Sequence, residues 1–297
     1  MEEWLEVGVT TENEAAEAVA EVLSRYAHRG VVIAAGPEGW NAGPVTVRAY
    51  LPVNDQLRTH RRHIEEALGH LNQICPVSAP TFRPVAEADW AEAWKERLTV
   101  FRVGRNIVIQ PSWQDYTPAC EDVVIRLDPG MAFGTGLHPT TQMCLEALEE
   151  SLHSGGEVLD LGTGSGILAI AAAKLGAGRV LAVDNDPSAV KIARENVVVN
   201  GVEGVVSTRC GSLDGVAGSY DLVLVNILAK VIVDMTHAGL ATRVRSGGRL
   251  IAAGILAEQE PEVATAVGQG GFTLVERRQR EDWICLVAER GYSSASD

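Results

Sequence analysis

From about Glu157 onward, short apolar runs and longer helical patterns alternate along the chain: "EVLDL", "GILAIAAAKLG", "RVLAVD", "PSAVKIARENVVVNG", "VVSTRC", "YDLVLV", "LAKVIVDMTHAGL" and "GGRLIAAGI". A run such as "YDLVLV" reads as a strand buried on both faces. Alternation of this kind predicts an α/β fold: a mostly parallel, doubly wound sheet with helices on both faces. The end, "FTLVERRQREDWICLVAER", reads as two strands about a polar turn, a natural antiparallel hairpin.

The first part follows a different pattern. A strand "WLEVGVT", a helix from about Glu12 to Tyr26, strands near "VVIAA" and "VTVRAYLP", a helix from about Gln56 to Leu71 and a strand near "PTFRPV" give the order β-α-β-β-α-β. That is the ferredoxin-like pattern. His60, His63 and His70 fall in its second helix, with His63 and His70 two turns apart near one face. A metal would need a third close ligand, and Arg61 and Arg62 with two glutamates crowd the same turn, so no metal is expected. Between Glu87 and Glu121 lie Trp90, Trp94 and Trp113, the first two at i, i+4 in an amphipathic "ADWAEAWKERL", followed by a strand "NIVIQPSW" closed by Pro111. These tryptophans are expected to pack two domains together. The expected division is a ferredoxin-like domain over 1–86, a linker with a helix over 87–121 and the doubly wound domain over 122–297.

Charge and composition narrow the partners. A net charge of −14 argues against broad, non-specific nucleic-acid binding, no direct sequence-specific nucleic-acid binding is expected either, and the charge is compatible with a basic partner, including a basic protein substrate. No window offers ~18 uncharged apolar residues, because Lys174 interrupts "GILAIAAAKLGA" and Asn226 and Lys230 interrupt "VLVNILAKVIV". The start, "MEEWLEVGVT", is acidic where a secretory signal would be basic. A soluble, cytoplasmic protein with no membrane partner is expected. Cys75, Cys120, Cys144, Cys210 and Cys285 are scattered, with no C-x-x-C pair, and are expected to be reduced and mostly buried.

Ligands of doubly wound sheets bind beyond the carboxyl ends of the strands. There the chain places Asp160 and then Gly162, Gly164 and Gly166 in "DLGTGSG", immediately before an apolar helix. Glycines let the backbone turn sharply and approach a ligand, and the helix N-terminus presents free N–H groups. A dinucleotide fingerprint would need glycine at 167, where this chain has Ile167. G-x-G-x-G preceded by Asp160 instead resembles motif I of class I S-adenosylmethionine-dependent methyltransferases. The second strand ends in Asp184, suited to accept hydrogen bonds from both ribose hydroxyls, while Asp186 suits the N-cap of the helix that starts at Pro187. Ser212, Leu213 and Asp214 follow the third strand, where methyltransferases of this class place adenine contacts, and the choice among them stays open. Asn226 ends the fourth strand. It is either a turn or helix cap or, in this setting, an amide whose oxygen accepts N–H bonds from a substrate amine and aims its lone pair at a methyl group.

"LDPGMAFGTGLHPTTQMCLEAL", Leu127 to Leu148, adds a glycine-rich loop around Phe133 and a His-Pro-Thr-Thr helix start. Together with "DLGTGSGILAIAAAKLGA", "VDNDPSAV", "ARENVVVNG", "VNILA", "DWAEAWKE", "IVIQPSW", "GILAEQ" and "DWICLVAER", it closely resembles the PrmA family, the ribosomal protein L-eleven methyltransferases. The resemblance runs over nearly the whole chain. It implies a ferredoxin-like substrate-recognition domain, a linker and a class I methyltransferase domain with a seven-stranded, mostly parallel sheet. It further implies that Phe133 to Thr141 fold over the methionine part of S-adenosylmethionine, with Thr141 in contact. Gly162 and Gly164 would line that cofactor, Asp184 would hold its ribose, and Asn226 would sit beside the methyl and the incoming amine, with S-adenosylhomocysteine as the product.

The implied reaction is methyl transfer to the α-amine and lysine ε-amines of the basic ribosomal protein, and the attacking amine must be neutral. At pH ~7.5 a free lysine costs roughly 4 kcal/mol to deprotonate and an α-amine under about 1. His138 is the one candidate base near the strand ends and is expected to order the loop instead, leaving the proton to water. The rivals are an N-methyltransferase for another protein or a small amine, a nicotinamide oxidoreductase, which should show the glycine that Ile167 replaces, and a non-catalytic ribosome-associated module, which could lose the glycine loop or Asn226. Oligomeric state stays open, with a monomer as the working expectation.

Overall fold

The computed structural model describes residues 4–24, 26–27, 31–34, 44–72, 75–85, 99–127 and 136–291. Two compact units divide the chain, Met1–Leu98 and Thr99–Asp297, so residues 99–121 of the expected linker fold with the second unit.

In the first unit β1 (Trp4–Thr11), α1 (Asn13–Ser24), β2 (Val31–Ala34), β3 (Val45–Pro52), α2 (Leu57–Leu71) and β4 (Thr81–Val85) form an antiparallel sheet in the order β2-β3-β1-β4. This is the ferredoxin-like arrangement expected. Strand β3 alternates buried and half-buried residues, so Val45, Val47, Ala49 and Leu51 face a core shared with Val19, Leu23, Ile64 and Leu68 of the helices. His60 and His63 pack their rings 5.3 and 6.1 Å from that of Tyr26. Among the described residues no group of three or more His, Cys, Asp or Glu side chains is placed to hold a metal. Trp90 and Trp94 lie outside the described residues.

The second unit opens with a small sheet of β5 (Phe101–Val103), β6 (Ile107–Gln110) and β7 (Val123–Arg126). Helix α3 (Pro139–Ser151) holds its turn: the Glu149 carboxylate accepts from the N–H groups of Arg105 at 2.7 Å and Asn106 at 2.8 Å. Asp122 locks the segment leading into β7, accepting from the Tyr116 hydroxyl, the Ala119 N–H and Arg102, which together hold its pKa down at about 2.

The main sheet follows. Strands β8 (Glu157–Leu161), β9 (Arg179–Asp184), β10 (Val206–Cys210), β11 (Tyr220–Asn226), β12 (Val244–Leu256), β13 (Phe272–Arg280) and β14 (Trp283–Arg290) line up as β10-β9-β8-β11-β12-β14-β13. Neighbours from β10 to β12 pair parallel, and β14 runs antiparallel to both β12 and β13, as the tail hairpin required. Helices α4 (Ile167–Lys174) and α5 (Pro187–Val199) connect the first strands, and α6 (Ala229–His237) and α7 (Glu260–Gln269) the later ones.

Period-two alternation divides the sheet between two cores. Val158, Val180, Ala182, Leu222, Leu224, Ile251 and Val287 point to the side of α3 and α4; Leu159, Leu181, Val223, Val225, Leu250 and Leu286 point to the side of α6 and α7. Both faces are covered, which is why these strands read as continuous apolar runs. The thiols were expected to be mostly buried, and the structure corrects this: Cys144 and Cys285 are buried, but Cys75 is half-buried and Cys120 and Cys210 are exposed. Scattered cysteines follow the surface their own segment occupies, which a count of them does not reveal. Among the described residues no helix is long and apolar enough to cross a membrane.

Candidate functional site

The strand order reverses at β8: β9 and β10 lie to one side of it, β11 and β12 to the other. Doubly wound sheets take their ligands at such a switch point, beyond the carboxyl ends of the strands; in this chain that point lies by the turn after β8 and the end of β11.

The turn after β8 is built from glycines in left-handed conformation, with φ of 75° at Gly162, 54° at Gly164 and 85° at Gly166. At Gly162 a side chain is also excluded sterically, because a Cβ there would lie 2.3 Å from Ile227 Cγ2. Gly166 is the N-cap of α4 and has no side chain to satisfy that helix's first N–H groups. Ile167 is buried in the core, 2% exposed, at the position where a dinucleotide fingerprint has its third glycine.

Asp184 is tied into this turn. Its Oδ2 accepts from Gly164 N at 2.9 Å and its Oδ1 from Asp186 N at 3.0 Å, which fixes the carboxylate at the end of β9 with acceptor capacity left on both oxygens. Asp186 caps α5, accepting from Ser188 N at 2.8 Å, as its position in the sequence suggested. Beyond β10, Leu213 is buried in the core while Ser212 and Asp214 are exposed, so only the latter two present polar side chains to solvent there.

Asn226 does not cap a helix. The N-cap of α6 is Leu228, two residues later. Asn226 has the parity of Leu222 and Leu224, so the alternation of β11 turns it toward α3, where its Nδ2 donates to Thr141 Oγ1 at 3.3 Å. The residue is 9% exposed, and its Oδ1 is buried without a hydrogen-bond partner. A buried acceptor left open costs stability unless something else fills it. Thr141 itself is fully buried. The helix carrying it starts at His138, whose Nδ1 lies 2.8 Å from Thr140 Oγ1 and accepts from Thr140 N at 3.4 Å. Burial lowers the His138 pKa, and its ring packs edge-on against Trp283 at 4.9 Å. His138 thus caps α3; the glycine-rich loop it was expected to order lies outside the described residues up to residue 135. Phe133 lies outside the described residues.

Of three further residues around the glycine turn, the sequence singled out only Asp160, and not for its acidity. Ile227 is clamped from two sides, by Gly162 and by Gly254. The latter sits at φ 85° in a bulge of β12, where a Cβ would come 2.1 Å from the Ile227 carbonyl oxygen. The signal for Gly254 is a glycine inside a strand pattern, which marks a bulge or a close backbone approach. The third is Asp160. It is 1% exposed, accepts from Thr163 Oγ1 at 2.6 Å through Oδ2, and has a buried Oδ1 with no partner. Desolvation pushes its pKa up to about 7 against the opposing Thr163 hydroxyl and Ala169 backbone N–H, with the Asp184 charge adding to the rise.

Asp160 makes the unliganded protein pH-sensitive. An ordinary aspartate titrates at 3.8 and this one at about 7 when folded, so between those pH values the folded chain holds a proton the unfolded chain has released. Stability therefore falls as pH rises from 4 to 7 and levels off above, by on the order of 4 kcal/mol in all. Urea unfolding at pH 5, 6, 7 and 8 should show this slope in the wild type and a flatter one in Asp160→Asn. Equal slopes in the two proteins would assign the effect elsewhere.

Comparison with known proteins agrees with this architecture. The family model described as ribosomal protein L11 methyltransferase (PrmA) matches residues 3–291. The chain is 45% identical over 324 residues to the ribosomal protein L11 methyltransferase of Chloroflexus aurantiacus, covering 97% of this chain and 98% of the relative. It is 43% identical over 316 residues to that of Herpetosiphon aurantiacus, at 96% and 98% coverage. A crystal structure of ribosomal protein L11 methylase from Lactobacillus delbrueckii subsp. bulgaricus superposes with a TM-score of 0.62 at 36% identity, covering 66% of this chain and 100% of that one. With a family model spanning almost every residue and relatives matched nearly end to end, the chain belongs to the ribosomal protein L11 methyltransferase (PrmA) family.

Proposed function

We propose that this protein transfers methyl groups from S-adenosylmethionine to the α-amine and lysine ε-amines of ribosomal protein L11, acting in the cytoplasm as a soluble monomer. The observation that carries the reading is the buried, unpartnered Oδ1 of Asn226 at the end of β11, the strand that pairs with β8 and so stands next to the glycine turn. Family membership supports the choice of donor and substrate. A chain of net charge −14 also suits a basic protein substrate.

The residues present fit the donor. Gly162 and Gly164 hold the turn after β8 in left-handed backbone, which only glycine adopts at no cost, and Asp184 keeps lone pairs for two ribose hydroxyls. Thr141, with Phe133, would cover the methionine part. S-adenosylmethionine, when bound, supplies an electrophilic methyl on a sulfonium. Asn226 does the positioning: Thr141 Oγ1 holds its Nδ2, which leaves Oδ1 as the open atom, and Oδ1 accepts an N–H from the incoming amine. With the donor bound, an amine so held would present its lone pair to the methyl, forming the N–C bond while the C–S electron pair would stay on sulfur. The surplus proton on nitrogen leaves to water, since partial burial of His138 lowers its pKa and its Nδ1 is committed to the cap of α3. The ferredoxin-like unit is assigned to grip the substrate.

Purified ribosomal protein L11 incubated with this protein and S-adenosylmethionine should gain methyl groups on its N-terminal amine and on lysines, read by intact-protein and peptide mass spectrometry. S-adenosylhomocysteine binding without methyl transfer would retire the substrate and keep the site.

A further inference from the structure

Leu228 is placed against the logic of folding. It is the N-cap of α6, a position that favours Ser, Thr, Asp or Asn, and it makes no side-chain cap. Nor is it core: at 74% exposed it is the most exposed large apolar residue among those described. Burial cannot account for a leucine there, and capping argues against one.

The exposure is not that of a loose loop. Ile227, its neighbour, has its side chain against Gly162 and its carbonyl against Gly254, and donates its N–H to Ala253 O at 3.2 Å. Leu228 O accepts from Val231 N at 2.9 Å and Ile232 N at 3.2 Å. A fixed turn therefore holds Leu228 out in solvent two residues after Asn226. Val231, 37% exposed, follows on the same side of the helix one turn on. Residues that break local rules without a folding gain are where function is to be sought.

We infer that Leu228 is a specificity residue: with Val231 it offers an apolar lip along which the four-methylene stem of a lysine acceptor lies while its ε-nitrogen reaches Asn226. This rests on the methyltransferase reading above. An α-amine has no such stem, so the contact selects for ε-amines, and each methylene removed from water favours the complex. The lip also acts on the harder substrate in the useful direction, because apolar surface beside the nitrogen favours its neutral form.

The test is Leu228→Ser and Leu228→Met in the full chain, with purified ribosomal protein L11 and S-adenosylmethionine, and initial rates resolved by site in mass spectrometry. Serine is a preferred cap, so Leu228→Ser should unfold at a temperature no lower than wild type. Its affinity for S-adenosylhomocysteine should stay within about twofold. Methylation of lysines should fall about tenfold relative to the α-amine of the same molecules, and Leu228→Met should keep the wild-type ratio. An unchanged ratio in Leu228→Ser, or equal loss at both kinds of amine, would overturn the assignment. A wild-type protein that methylates neither amine would instead overturn the reading of function beneath it.

Discussion

Replacing Asn226 with Ala should lower turnover by about 10²- to 10³-fold while changing the affinity for S-adenosylhomocysteine less than about threefold. The magnitude is that of removing one preorganised polar group from a reacting centre. The split follows from geometry. Asn226 is held by Thr141 Oγ1 on one side and has a single unpartnered atom, Oδ1, on the other, so the substitution removes an acceptor for the amine. The glycine turn and Asp184, which are assigned to the cofactor, are untouched. Asn226→Asp should be no rescue: a carboxylate keeps the acceptor but loses the donor to Thr141, and its charge stabilises the ammonium over the reactive amine. Thr141→Val should fall between, because it frees the amide to rotate without removing it. Single-turnover rates beside equilibrium binding check all three, and wild-type turnover in Asn226→Ala would end the positioning role.

Gly254→Ala should cost about 3 kcal/mol or more of stability and at least 100-fold in activity, although residue 254 contacts no proposed ligand. A Cβ at 254 would lie 2.1 Å from the Ile227 carbonyl oxygen and 2.8 Å from its carbon, and the backbone there is left-handed at φ 85°. Left-handed backbone costs a non-glycine residue about 1 to 2 kcal/mol, and the clash adds the price of overpacking. Backbone cannot move aside as a side-chain tip can. Relief must come from shifting either the bulge of β12 or the peptide after Asn226, and the second moves the amide out of line. Denaturant unfolding read alongside turnover separates this from a site mutation: Gly254→Ala loses both, Asn226→Ala only turnover. A Gly254→Ala protein with wild-type midpoint and rate would show that the two peptides do not abut.

Much of the architecture was legible because it depends on periodicity. The strand runs, the β-α-β-β-α-β order and the tail hairpin are local patterns, and each appeared where its residues placed it. The N-cap at Asp186 was legible for the same reason: a cap concerns only its own first turn. Asn226 was ambiguous by its nature. A strand-ending amide before a helix is compatible with a cap, and only the contact with Thr141, 85 residues earlier, separates the readings. Asp184 was legible as a strand-end carboxylate, but its bond to Gly164 N, which stiffens the turn it faces, was not. The abnormal acidity of Asp160 was hidden entirely, since it arises from burial by distant elements.

By itself, then, the amino-acid sequence determined the order and type of most elements, β5 and β7 apart, and which residue types stand at the ends of the main strands. Those follow from interactions within a few residues. Only the tertiary structure decided that Asn226 faces Thr141 with an open oxygen, that Gly162 and Gly254 close on Ile227 from either side, and that Leu228 stands in solvent beside them. Such facts depend on which strands become neighbours at the point where the sheet reverses, and that choice is settled by packing both faces of the sheet at once.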